Sequence, residues 1–96
     1  MVVSVTTSFM TAEQLEQVNG FLAEFLPRLK QQSGVLEVLY FTRPLESGGT
    51  VVVVWEDDEA LHRYRASALS QEALAFERKL GIVTTREAFP LRERLL

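Results

Sequence analysis

Residues 51–64 read VVVVWEDDEALHRY. In an extended chain alternate side chains point to opposite faces, so Val51, Val53 and Trp55 share one side and Val52 and Val54 the other. A strand with one face in water alternates apolar with polar residues, and this one is apolar on both. Both of its faces therefore require cover. The acids that follow mark a helix start: Asp57 and Asp58 are both N-cap candidates, and Leu61 and Tyr64 then share one side of a short helix. Glu56 to Glu59 also complement the positive end of that helix, which explains the acidic run without a bound cation.

Toward the N-terminus, VLEVLYFTR (35–43) has strand composition, with Leu36, Val38 and Tyr40 opposing Val35, Leu39 and Phe41. The turn residues PLESGG (44–49) join it to the apolar strand. A further strand is expected over Val2–Phe9, with Val3, Val5, Thr7 and Phe9 on one side and Ser4, Thr6 and Ser8 on the other. Thr11 and Gln14 form a T-x-x-Q capping box. The stripe Leu15, Val18, Leu22, Phe25, Leu26 and Leu29 follows at helical spacing. Pro27 should kink that helix or loosen its last turn, and Gly34 is the expected stop. The adjacent Asn19 and Gly20 both weaken a helix. Toward the C-terminus the short helix should break near Ser67, with Ser70 capping another that carries Leu74, Ala75, Phe76 and Leu80 and stops at Gly81. The last strand is expected from Ile82 to Phe89, ended by Pro90, with 90–96 as a tail. The order β-α-β-β-α-β, its second helix in two pieces, is the α+β ferredoxin-like pattern: an antiparallel sheet with helices on one face, in a single domain spanning 1–96.

Composition narrows the function. Ten Lys and Arg against 13 Asp and Glu give a net charge of -3, with no basic run, so nucleic acid is not an expected partner. With no cysteine there is no disulfide, thiolate metal site or Cys nucleophile. No stretch approaches the ~18 apolar residues of a membrane helix, and the N-terminus lacks a charged leader, so a cytoplasmic location is expected. The doubly apolar strand predicts a homodimer through the open sheet face, since each Val or Leu gains about 1.5 to 3 kcal/mol on full burial. The alternative is a monomer whose tail or long loop covers that face.

The element order, the strand running through Trp55 and acids into a helix, and the S-x5-F stretch Ser70 to Phe76 resemble the dimeric α/β-barrel superfamily, within it the antibiotic-biosynthesis-monooxygenase-like group. The resemblance spans Val2 to Phe89 and implies two sheets packed face to face across a dimer axis. It also implies a cofactor-independent monooxygenase acting on a small phenol, quinol or polyketide-like aromatic. A haem-degrading branch of the superfamily carries an Asn on the first strand, a Trp, and a ligand His on the following helix. Trp55 and His62 are offered for the last two, but the first strand has no Asn.

The side chains that fit such chemistry are few. His62, the one histidine, has an ordinary pKa near neutrality and is a candidate base, with Tyr64 as its catalytic companion; the plainer reading of both is structural. Trp55 is a candidate to stack a planar substrate, Tyr40 to donate to its oxygen, and Asn19 to contact it; core packing explains the first two and local irregularity the third. No metal-binding motif and no phosphate loop is visible. The enzyme reading expects a cavity of roughly 300 Å³ or more between sheet and helices. The competing reading is a non-catalytic dimeric module that binds a small ligand or serves in a stress response.

Overall fold

The computed structural model describes residues 1–43 and 48–95. The chain forms β1 (Val2–Phe9), α1 (Ala12–Lys30), β2 (Val35–Arg43), β3 (Gly48–Trp55), α2 (Asp58–Arg65), α3 (Ala68–Leu80) and β4 (Val83–Pro90). The strands make one antiparallel sheet in the order β2-β3-β1-β4. This is the expected ferredoxin-like arrangement. Of the turn segment 44–49, Gly48 and Gly49 belong to β3 and 44–47 lie outside the described residues.

Local chemistry sets most of the boundaries. The Thr11 hydroxyl accepts from the Gln14 amide at 3.1 Å while the Gln14 side chain accepts from the Thr11 amide at 3.0 Å, closing the capping box. Asp57 caps α2 by accepting from the Ala60 amide at 2.8 Å. Gly81 ends α3 in the left-handed region, at φ 69°. Three expectations change. Ser67, not Ser70, caps α3, because its hydroxyl reaches the Ser70 amide at 3.2 Å, and Ser70 is buried within the helix. Gly34 does not stop α1, which ends at Lys30 with Gln31 as its right-handed cap. Gly34 instead takes φ 85° in the turn into β2, and its carbonyl accepts from the Glu56 amide at 2.7 Å. Finally, a register shift between Val35 and Glu37 turns Val35 inward beside Trp55, away from the side of Leu39 and Phe41.

The helices cover one face of the sheet. Gln14 at the start of α1 donates to the carbonyl of Leu80 at the end of α3, and Arg28 near the end of α1 pairs with Glu72 near the start of α3. The two helices therefore run antiparallel, and Phe21 stacks on Phe76 between them with ring centroids 4.1 Å apart. Beneath them Phe25, Leu29, Val53, Trp55 and Leu61 form the core, at about 1.5 to 3 kcal/mol for each fully buried side chain.

The opposite face is apolar and largely open. Phe9, Leu39, Val83 and Phe89 are 44%, 49%, 65% and 45% exposed. The register puts them beside Val3, Val5 and Val52. One end of this face is crossed by the segment after β4. Arg94 pairs with Glu37 at 3.5 Å, and because β4 and β2 are opposite edges of the sheet, residues 91–94 must pass over β1 and β3 to make that contact. Val54, the register partner of Glu37, lies under the crossing and is buried. The tail thus covers part of the second face. Pro90, expected to open the tail, is the last residue of β4, and Leu96 lies outside the described residues.

Candidate functional site

Between the sheet and the helices lies a cavity of about 250 Å³. Its floor is the inward side of β1, and that side carries the hydroxyls: Ser4, Thr6 and Ser8 line the cavity, so Val3, Val5 and Phe9 face outward. The roof is apolar, built by Phe21, Phe25 and Leu26 of α1 and Phe76 of α3. A polar row under an apolar roof suits a flat ligand with oxygen at its edge. The volume falls short of the 300 Å³ expected but exceeds the roughly 150 Å³ that an engineered apolar cavity needs to take up benzene.

Trp55 is 1% exposed and forms the end wall. Its indole N–H donates to Ser4 Oγ at 2.9 Å, which accounts for a hydroxyl on the inward side of β1, since a buried donor without a partner is costly. The Tyr64 ring tilts against the indole with centroids 5.3 Å apart. Burial pushes the Tyr64 hydroxyl above its ordinary pKa, and a hydrogen bond with Ser70 and the nearby Arg86 guanidinium moderate the rise. Tyr64 thus enters the cavity as a neutral donor.

Tyr40 lines the cavity on the β2 side. Its hydroxyl, raised in pKa by burial, donates to Asn19 Oδ1 at 2.5 Å. Gly49 makes this reach possible, because a Cβ there would stand 3.2 Å from the Tyr40 ring. Asn19 itself is exposed and does not line the cavity; it ties α1 to β2. Gly20 has open space around it, so no close helix approach explains the Asn-Gly pair. His62 is exposed on α2 and is not among the lining residues. The structure therefore brings together Trp55, Tyr64 and Tyr40 and leaves His62 and Asn19 outside, so it does not join Trp55 and His62 in one haem pocket. Among the described residues, no group of three or more His, Cys, Asp or Glu is placed to hold a metal ion.

Sequence reasoning missed the charged part of the wall. Arg86 of β4 pairs in register with Thr6, which turns it to the helix side. There its Nη2 donates to both carboxylate oxygens of Glu77, at 2.5 and 2.6 Å. The Glu77 side chain is 16% exposed and the Arg86 side chain 38%, and both line the cavity, so the pair forms the rim on its β4 side. The signal in the sequence was an Arg within TTREAF at a position whose neighbours two residues away, Thr84 and Ala88, share its face.

No protein-family profile matches the chain, and no curated protein matches it. Solved structures do. A provisionally named antibiotic biosynthesis monooxygenase from Deinococcus radiodurans superposes with a TM-score of 0.90 at 19% identity, over 100% of this chain and 97% of its own. SnoaB, a cofactor-independent oxygenase from Streptomyces nogalater, in a single-substitution form, superposes with a TM-score of 0.71 at 22% identity, over 98% and 95%. A conserved protein from Methanosarcina mazei Go1 gives 0.83 at 12%, over 95% and 92%. At these identities the likeness is one of fold. It agrees with the ferredoxin-like fold expected from the sequence.

Proposed function

We propose that the chain is a cofactor-independent monooxygenase for a one- or two-ring phenol or quinol, working as a homodimer through its outer sheet face. The observation that carries this reading is the cavity itself: a hydroxyl-lined floor, an aromatic end wall at Trp55 and a half-buried neutral donor at Tyr64. The fold shared with proteins named as monooxygenases supports it. In such chemistry an electron-rich ring supplies all four electrons that reduce dioxygen, so that one oxygen atom enters the product and the other leaves as water. The protein has to bind the ring, exclude bulk water and ionise the phenol. The dimer is supported by the exposed apolar side chains Phe9, Leu39, Val83 and Phe89 on that face, of the kind that marks an interaction surface.

Oxygen uptake tests the reading directly, with a panel of naphthols, quinols and anthrols in a sealed electrode cell. Uptake should require the protein and be greatest with two-ring substrates, with quinone as product. No uptake with any member would sink the enzyme. A second reading, a dimeric module that binds a small aromatic without turning it over, is favoured by one observation: His62, the one histidine, is exposed and off the cavity. It predicts saturable binding of the same compounds with no oxygen uptake.

A further inference from the structure

By residue type Tyr40 is a hydrogen-bond donor to a ligand, but its one proton is already committed. Its hydroxyl meets Asn19 Oδ1 at 2.5 Å, inside the range of O–H···O bonds and below that of N–H···O bonds, so the amide presents its oxygen and Tyr40 donates. A phenol carries a single O–H, and burial raises the Tyr40 pKa, so the proton stays in place. Toward the cavity Tyr40 Oη therefore offers lone pairs alone. This gives a role to Asn19, which weakens the middle of α1 and does not line the cavity.

The other end of the cavity has the opposite polarity. Ser4 Oγ accepts from the Trp55 indole, which leaves the Ser4 proton for a second partner, and Ser4 lines the cavity. The neutral Tyr64 hydroxyl belongs to the ring that leans on the same indole. The two ends are well separated. Tyr40 Oη lies 3.4 Å from where a Cβ on Gly49 would stand, and Gly49 pairs in register with Ser8. From Ser8 to Ser4 the strand runs about 13 Å. No single ligand oxygen reaches both ends. Two hydrogen bonds of about 2.8 Å each leave roughly 7 to 8 Å between the oxygens of one ligand, the separation across a two-ring skeleton.

We propose that Asn19 fixes Tyr40 as a hydrogen-bond acceptor, so that the cavity selects a two-ring aromatic with a protonated hydroxyl at its Tyr40 end and an acceptor oxygen at its Ser4 end. Asn19 is a positioning residue, acting through Tyr40 without touching the ligand. An ether or ketone at the Tyr40 end sets lone pairs against lone pairs, and it gains the Tyr40 proton only by breaking the bond to Asn19. Asn19 is exposed, so water replaces the ligand-side loss in part, and the penalty is about tenfold rather than the roughly 10⁴-fold of a fully buried site. The inference rests on the function proposed above, since it names the substrate class of that same cavity. It also bears on turnover: a substrate hydroxyl oxidised to a carbonyl at the Tyr40 end brings no donor, so the product binds more weakly than the substrate.

The test is calorimetric titration with three two-ring probes of similar shape. They are 6-hydroxy-1-tetralone, whose hydroxyl and ketone stand at opposite ends, its 6-methoxy ether and its 6-fluoro analogue. The unaltered protein should bind the hydroxy compound about tenfold more tightly than either of the others. Tyr40→Phe should erase that preference by weakening the hydroxy compound and leaving the fluoro compound as it was. Asn19→Ala frees the Tyr40 proton, so the methoxy compound should gain and the hydroxy-to-methoxy ratio should fall to about threefold or less. Asn19→Asp keeps an acceptor and should keep the ratio. A merely structural Asn19 would shift all three probes alike, and circular dichroism of each variant separates a lost preference from a lost fold. Equal binding of the three probes by the unaltered protein overturns the inference, and so does an unchanged ratio in folded Asn19→Ala. Oxygen uptake with the quinol panel, run alongside, keeps the two readings apart. Uptake without the preference overturns the inference and spares the function; the preference without uptake upholds the inference as a binding specificity and sinks the oxygenase. No binding of any probe overturns the inference whatever the uptake.

Discussion

The two faces of the sheet are made from the same four strands and differ most along β1. Under the helices β1 presents Ser4, Thr6 and Ser8; on the open side it presents Val3, Val5 and Phe9. In an isolated single-layer domain the hydroxyls would face water and the valines the helices. Strand β1 does the reverse, while β3 is apolar on both faces. The difference teaches that each face is written for what it meets. The inner face holds a cavity, and one of its hydroxyls, that of Ser4, satisfies the Trp55 indole. The outer face carries exposed apolar side chains, with buried positions at Val54 and Thr50.

The comparison can be broken most sharply at Trp55. Trp55→Ala should cost about 3–5 kcal/mol of unfolding free energy, read from urea midpoints, because the end wall packs against Tyr64 and the core. A loss below 1 kcal/mol would mean that the inner face is loosely filled. Next comes Val52→Lys. Val52 faces Val5 and Leu39 in register at the middle of the outer face, so a charge there should weaken the proposed dimer by about a hundredfold or more. Sedimentation should show monomer while far-UV circular dichroism stays unchanged. Ser4→Ala probes the inner hydroxyls with a smaller effect. It leaves the Trp55 indole N–H buried and unpaired, for a loss of about 1–3 kcal/mol by thermal unfolding.

The smallest effect is confined to alkaline solution. Burial raises the Tyr64 pKa in the folded state above the ordinary value of 10.0. The neutral phenol therefore contributes stability that is fully present below the unfolded pKa and is lost as pH rises through the higher folded value. Tyr64→Phe should flatten the decline in stability above pH 10.0 and leave the acid limb as it was. Superimposable alkaline limbs would place the Tyr64 hydroxyl in solvent.

Much of the fold was legible because local signals agreed with the global pattern. The box at Thr11 and Gln14, the Asp57 cap and the Gly81 stop each act within one turn of chain, and the apolar runs fixed the strands. What failed depended on partners distant in sequence. Gly34 reads as a helix stop in the sequence because glycine serves both ends of such a turn, and only the contact with Glu56 shows which. Ser67 and Ser70 are both competent caps, and spacing alone does not choose between them. Val35 changed sides at a bulge, which a strict period of two cannot register. For the site, Trp55, Tyr64 and Tyr40 were found by residue type. His62 was misleading for the same reason, since its chemistry is readable and its direction is not. Glu77 and Arg86 were passed over because nine residues and a change of element separate two halves of one site.

Gly34 carries one further consequence, for how the sequence can vary. A Cβ at this position would overlap the Cβ of Ala60, and its backbone angle already disfavours any other residue. The turn into β2 and the first turn of α2 are therefore locked as a pair of small residues 26 positions apart. In a library of random substitutions that retain folding, position 34 should return glycine almost alone. Position 60 should accept glycine or serine more readily than valine, and no change at 60 should rescue a side chain at 34.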